Sequence, residues 1–282
     1  MYYYIVNPAA GGGMINSIQD KLKASLRSLK IDGEFAKTLG EGDASQVTRK
    51  AIDRGVKTIV GVGGNATINE IITTVFRQGK SDVAIGIIPT GKNNTLARSL
   101  DINNWRQACE VLASRRLVEY SLMTLNDHVF VQSLVISPPQ PAEKDDESPK
   151  RWSKLLAGKT EFKPLAFRAV IDDNLRIRGQ GGYMEIYNQK FLNSAYENQL
   201  LIQIYGDTPA KALAGRLGTL FAKSDNYQTG GNSQLHGKKL AIKSQRLAEA
   251  NIDGRALSSK DFNITLTDWK LKLITNLTPT ND

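Results

Sequence analysis

Three glycine-rich stretches carry the residue types that bind phosphate: NPAAGGG at residues 7–13, GGNAT at 63–67 and PTGKNN at 89–94. Glycine lets backbone N–H groups approach phosphate oxygens, and a following helix contributes the positive end of its dipole. The hydroxyls of Thr67 and Thr90 add hydrogen bonds. Each stretch follows a short apolar run, so all three are predicted on the carboxyl edge of one parallel sheet, where the ligands of such sheets collect. Turnover needs a base or a metal as well. The only histidines, His128 and His236, lie far apart without acid or cysteine neighbours at ligand spacing. That spacing speaks against zinc sites and Ser-His-Asp chemistry and leaves a carboxylate as the expected general base.

Two general fingerprints nearly fit. Gly61, Gly63 and Ala66 satisfy G-x-G-x-x-G/A, with Asp82 as a ribose contact, which would make the chain a dinucleotide-binding oxidoreductase. The pattern falls on the third predicted strand, however, and Asp82 precedes a strand instead of ending one. GIIPTGKN at 86–93 resembles a P-loop, but Asn93 replaces the magnesium-binding hydroxyl and Gly86 sits inside a predicted strand. We reject that match.

The elements that position these turns are legible in the hydrophobic rhythm. YYYIVNP, GEFAKTL, KTIVGVGG and VAIGIIP read as strands. Helical periods in INSIQDKLKASLRSL, ASQVTRKAIDRG, ATINEIITTVFRQG and NNWRQACEVLASRR alternate with them. Such alternation predicts an α/β, Rossmann-like domain with a parallel sheet over residues 1–121. From about residue 122 the period becomes two, in DHVFVQSLV, LAFRAVIDD, LRIRGQGGYMEIYN, LLIQIYG, KKLAIKS, RALSSKDFNITLT and KLKLIT. These predict antiparallel strands in a β-rich, β-sandwich-like domain over 122–282, whose last strand could return to the first domain. One helix is expected at TPAKALAGRLGTLFAK, residues 208–223, and an exposed proline-rich loop at 137–150.

The chain has 282 residues, 40% hydrophobic and 23% charged, and carries a net charge of +9. This balance fits a folded protein with anionic partners, nucleotides or acidic lipid surfaces. The excess charge divides evenly between the halves without a basic block, so nucleic acid is not an expected partner. The basic, aromatic stretch with Trp152, Lys154 and Lys159 could touch an anionic membrane. No segment approaches the roughly 20 apolar residues that span a bilayer. Cys109, the single cysteine, excludes an internal disulfide, reads as a small apolar residue on a helix, and suits a reducing compartment. A cytoplasmic protein is expected, peripheral at most to the inner membrane surface, and a homodimer is compatible with the sequence.

Taken together, NPAAGGG, GGNATINEII and IGIIPTGKNNTLARSL resemble the diacylglycerol kinase and sphingosine kinase family, which shares its fold with NAD kinases. Gly86, Ile88, Pro89, Gly91, Asn94, Ala97, Arg98 and Leu100 match its G-x-I-P-x-G-T-x-N-D-x-A-R-x-L pattern; Gly63, Gly64, Thr67, Asn69 and Glu70 match G-G-D-G-T-x-N-E. An I-D-G element stands at Ile252, Asp253 and Gly254. The resemblance implies transfer of the ATP γ-phosphoryl group to a lipid hydroxyl, with Mg2+ neutralising the phosphates. It places nucleotide contacts at Asn7, Pro8, Ala9, Ala10 and Gly11, at Thr38, at Gly63, Gly64, Asn65, Ala66, Thr67, Asn69 and Glu70, and at Thr90, Gly91, Lys92 and Asn94.

The departures from the pattern fall on its acids. Asn65 replaces the Asp of G-G-D-G-T, and Thr95 the Asp that closes the G-T-x-N-D motif. Lys92 stands where that motif has threonine, Arg255 where a general-base acid follows D-G, and ISPPQPAE where G-F-D should lie. Ala66 replaces a glycine and would be strained at positive φ. No catalytic acid and no metal ligand is therefore assigned. Glu70, Asp172, Asp173, Glu249 and Asp253 are the acids that could compensate. The sequence leaves open a kinase of weak or no activity and a non-catalytic module that holds a nucleotide or a phospholipid.

Overall fold

The computed structural model describes residues 1–139, 164–192, 198–205, 233–252 and 255–277. The chain divides into two compact units. Met1–Leu122, His128–Val131 and the stretch from Thr267 form the first; the described residues of Met123–Asp127 and Gln132–Leu266 form the second.

In the first unit, β1 (Tyr2–Val6), β2 (Gly33–Lys37), β3 (Thr58–Gly63) and β4 (Ala84–Pro89) run parallel in the order β2-β1-β3-β4. Strands β1, β3 and β4 are buried almost throughout, as expected of a sheet covered on both faces. Helices α1 (Met14–Ser28), α2 (Asp43–Asp53), α3 (Asn65–Arg77) and α5 (Trp105–Ser114) bury one apolar face each; in α3 this face is Ile68, Ile71, Ile72 and Val75. The Asn104 side chain caps α5, accepting the N–H groups of Arg106 and Gln107 at 3.0 Å. Cys109 is buried on α5, where desolvation pushes its thiol up to about 11 and leaves it unreactive. The short helix α4 (Thr95–Ser99) and the strand β5 (Leu117–Leu125) were not expected from the sequence. The strand read across DHVFVQSLV is two: β6 (His128–Phe130) belongs to the first unit and β7 (Ser133–Ser137) to the second.

The second unit is antiparallel and β-rich, as its period-two pattern predicts. It contains β8 (Leu165–Ile171), β9 (Leu175–Gly181), β10 (Tyr183–Asn188), β11 (Leu200–Tyr205), β12 (Ser233–Gly237), β13 (Lys239–Ile252) and most of β14 (Arg255–Ile274). LRIRGQGGYMEIYN is broken into β9 and β10 at Gly182, whose N–H turns to the Tyr205 carbonyl. KKLAIKS extends to Ile252 through an irregularity between Lys243 and Ala248, and the two final sequence segments fuse into the single strand β14. The end of β14 lies in the first unit, where Lys272 and Leu273 pair in parallel with Ala84 and Ile85. Asp172 and Asp173 lie in the three-residue β8–β9 turn between the paired Ile171 and Leu175, at φ 48° and 62°, left-handed values that Asp tolerates better than most residues. The helix expected at 208–223, residues 140–150 of the proline-rich loop, the stretch with Trp152, Lys154 and Lys159, and Asp253 and Gly254 lie outside the described residues. No helix among the described residues is long and apolar enough to cross a membrane.

Candidate phosphate-binding site

The parallel strands end in register, and β1, β2 and β4 each hand their next residue to a neighbour. Thr38 N–H donates to the Val6 carbonyl at 2.8 Å, Asn7 N–H to Val62 at 2.9 Å, and Thr90 N–H to Gly63 at 3.0 Å. This stitching sets the turns after β1, β2, β3 and β4 side by side on one edge. Three of these turns are the glycine-rich stretches of the sequence; the fourth, Gly40 to Gly42, joins through Glu70, whose Oε1 accepts the Gly42 N–H at 3.3 Å. A glycine pair after the GEFAK strand was the available signal for it.

Side chains and close backbone contacts then lock the turns together. Asn7 Nδ2 donates to Thr67 Oγ1 at 2.9 Å while its Oδ1 accepts the Ala9 N–H at 3.0 Å, so this amide joins the first turn to α3. Gly11 has φ 59° and lies so close to the Thr90 carbonyl that a β-carbon would overlap its oxygen. Gly91 packs directly on Gly64; a β-carbon on Gly91 would stand 2.5 Å from the Gly64 Cα. Asn94, at φ 44°, closes its own turn by accepting from Gly91 N–H at 3.0 Å and donating to the Gly91 carbonyl at 2.7 Å. Pro8 and Ala10 shape the first turn, whose 3-10 segment spans Ala10–Gly12.

At the start of α3 the cap residue Gly64 contributes no side chain, and Ile68 N–H makes the first intrahelical bond, to Gly64. The N–H groups of Asn65, Ala66 and Thr67 therefore lack intrahelical partners and carry the positive end of the helix dipole. Ala66 is exposed within α3 and is not at positive φ, so the strain expected for it does not arise. Asn65 Nδ2 donates to Thr95 Oγ1 at 2.6 Å. In the sequence Thr95 stands only as a departure from a motif; its pairing with Asn65 arises from the folded turn. Lys92 is exposed in the same turn.

Among the described residues three buried side-chain atoms have no hydrogen-bond partner: Asn69 Oδ1, Glu70 Oε2 and Thr90 Oγ1. All three belong to residues of the turns or of α3. An unsatisfied buried polar atom costs about 1–3 kcal/mol, and a bound ligand with polar groups would relieve it. These atoms, the open helix start and the glycine contacts fit the phosphates and hydroxyls of a nucleotide.

Magnesium fits less well. It prefers carboxylate and water oxygens in octahedral array, and the positions of Asn65 and Thr95 offer a neutral amide and hydroxyl already bonded to each other. Among the described residues no group of three or more His, Cys, Asp or Glu could hold a metal. Of the compensating acids among the described residues, only Glu70 belongs to the first unit. Asp172 accepts the N–H groups of Lys238 and Lys239 at 2.8 Å in the second unit, and Glu249 lies on β13 there. The Arg255 side chain is outside the described residues. Asp82 pairs with Lys57 just before β4, at the opposite end of the strands from the turns, so it is not placed to contact a ribose held there. Gly86 lies inside β4, as its exclusion from a P-loop requires.

The chain's first 125 residues match the model of the diacylglycerol kinase catalytic domain. A probable lipid kinase YegS from Shigella flexneri is 38% identical over 255 residues, which cover 83% of each protein. The chain spans about a third of the length of some curated relatives it matches and more than four fifths of others. Among solved structures, a diacylglycerol kinase from Bacillus anthracis superposes with a TM-score of 0.79 at 19% identity, covering 98% of this chain and 96% of that one. An NAD kinase from Archaeoglobus fulgidus in complex with ATP gives 0.56 at 13% identity over 98% of this chain and 94% of that one. These structural likenesses concern the fold.

Proposed function

The chain belongs to the lipid kinase family that carries the diacylglycerol kinase catalytic domain, and from that membership we propose that its linked turns bind the phosphates of ATP without magnesium and support little or no transfer to a lipid hydroxyl. The observation that carries this is the 2.6 Å bond from Asn65 to Thr95. In the pattern the chain resembles, both positions are aspartates. Two carboxylates so close would repel unless a cation lay between them. An amide and a hydroxyl are at rest without one.

In this reading the N–H groups of Asn65, Ala66 and Thr67, the Thr90 hydroxyl and the backbone around Gly11 and Gly91 orient the phosphates. Lys92 supplies the positive charge that a metal would otherwise bring. ATP, when bound, supplies a transferable γ-phosphoryl group; accepting the proton of the attacking hydroxyl is the step for which the chain is poorly equipped. Asn65 cannot accept it, and Arg255 stands where the resemblance expects an acid. Loss of a general base alone typically costs about 10²- to 10⁴-fold in rate. Calorimetric titration of the protein with ATP, with and without magnesium, tests the proposal: equal affinity in both supports it, and binding that requires magnesium contradicts it.

Thr90→Val separates binding from folding. It removes the orphaned hydroxyl while keeping the shape, so the ligand-free protein is expected to gain about 1 kcal/mol, whereas ATP affinity should fall about tenfold. Thermal melting and the same titration read the two effects. Parallel changes in both would show that Thr90 does not face the ligand.

A further inference from the structure

The β8–β9 hairpin of the second unit has an arrangement that folding alone does not require. Among the described residues strand β9 pairs with β8 only, and the turn is tied to the start of β13 by the Asp172 hydrogen bonds. The register sets Arg178 opposite Arg168 and Arg168 opposite Lys243. Three exposed cations thus stand side by side on adjacent strands, where like charges directly opposite one another destabilise a sheet. Lys243 is relieved by Asp261 at 3.7 Å. Among the described residues neither arginine has an ion-pair partner. Arg176 is exposed two residues along the same strand face.

Beside the arginines lies a depression of about 350 Å³ lined by Arg168, Arg178, Gln180, Gln245, Ala166 and Phe167. Charge on an edge strand can serve merely to prevent strand pairing, but a single lysine does that without a repelling partner. Two guanidinium forks and two amides around one hollow are donors suited to phosphate oxygens. The whole chain is also basic, at +9. Adjacent cations spread over one sheet face complement a surface of many phosphates better than one small anion.

We propose that this hairpin face docks on the phosphate groups of an anionic phospholipid bilayer, through Arg168, Arg178 and Lys243. The docking is independent of nucleotide binding. Co-sedimentation of the full chain with phosphatidylglycerol/phosphatidylcholine vesicles, and with phosphatidylcholine vesicles alone, tests it in the absence of nucleotide. The wild type is expected to bind the anionic vesicles only and to be released as salt rises. Each cation at such a surface is worth about fivefold in partitioning, so Arg168→Gln with Arg178→Gln should weaken it about 25-fold, and the double glutamate variant further. ATP affinity, unchanged in the glutamine variant, reports that the protein is folded and keeps this result separate from the fate of the nucleotide site. Failure of the wild type to bind anionic vesicles, or unchanged partitioning of the glutamine variant, overturns the proposal. So does binding of inorganic phosphate by a wild type that ignores vesicles, since the hollow would then be a small-anion pocket.

Discussion

Changing Asn65 and Thr95 together to aspartate is expected to make nucleotide binding depend on magnesium. The two side chains now share a 2.6 Å hydrogen bond. As carboxylates they would repel one another and the ATP phosphates by an amount on the order of a few kcal/mol at a partly exposed site. Without metal, affinity should therefore fall about 100-fold or more relative to the wild type. Magnesium placed between the new oxygens should restore most of it, because carboxylates are the ligands it prefers. Either single variant should show an intermediate loss and a smaller rescue. Titration with ATP at zero and saturating magnesium reads all of these. An equal loss at both concentrations would mean that Asn65 and Thr95 do not face the phosphates. Restored binding need not restore turnover, because Arg255 still stands where the resemblance implies a general-base acid.

Gly11→Ala is expected to abolish ATP binding, lowering affinity at least about 100-fold. A left-handed backbone costs an alanine roughly 1–2 kcal/mol, and here the new methyl also collides with the Thr90 carbonyl. That oxygen belongs to backbone fixed by the Thr90 to Gly63 hydrogen bond, so the turns after β1 and β4 must separate. Gly12→Ala is the control. Gly12 has a similar φ of 71°, but nothing lies within 4 Å of the position its β-carbon would take. It should carry the strain alone, with a modest loss of stability and little change in affinity. Equal effects of the two substitutions would place the defect in local strain instead of in the contact between turns.

The strands and turns of the first unit were legible because the physics that builds them is local. A buried parallel strand is a continuous apolar run, and the turn beyond it must use glycine where backbones touch. Gly11, Gly64 and Gly91 meet that need in the folded protein. The strand before the Gly40–Gly42 turn is legible in GEFAKTL, but only the resemblance, through Thr38, points to that turn, because its two glycines are separated and follow a half-buried strand. What no local pattern could supply was the meeting of Asn65 with Thr95. Each substitution was visible by itself, but their bond requires the Gly91–Asn94 turn to fold back over the start of α3. In the second unit the alternation identified strands but not their limits. Asp268 and Trp269 interrupt the rhythm of β14, yet the strand continues, with Trp269 set edge-on against Phe76 at 5.3 Å between ring centroids. The arginine row across β8 and β9 was likewise invisible, because Arg168 and Arg178 become neighbours only through the hairpin register.

The function proposed for the linked turns requires that they hold phosphate without a metal. The direct measurement is calorimetric titration of the wild-type chain with ATP in chelator and again in saturating magnesium, followed by a check of the same samples for phosphate transfer to diacylglycerol in mixed micelles. The predicted result is one affinity in both buffers and little or no phosphorylated lipid. ATP binding that appears only with magnesium, accompanied by magnesium-dependent lipid phosphorylation, would contradict it.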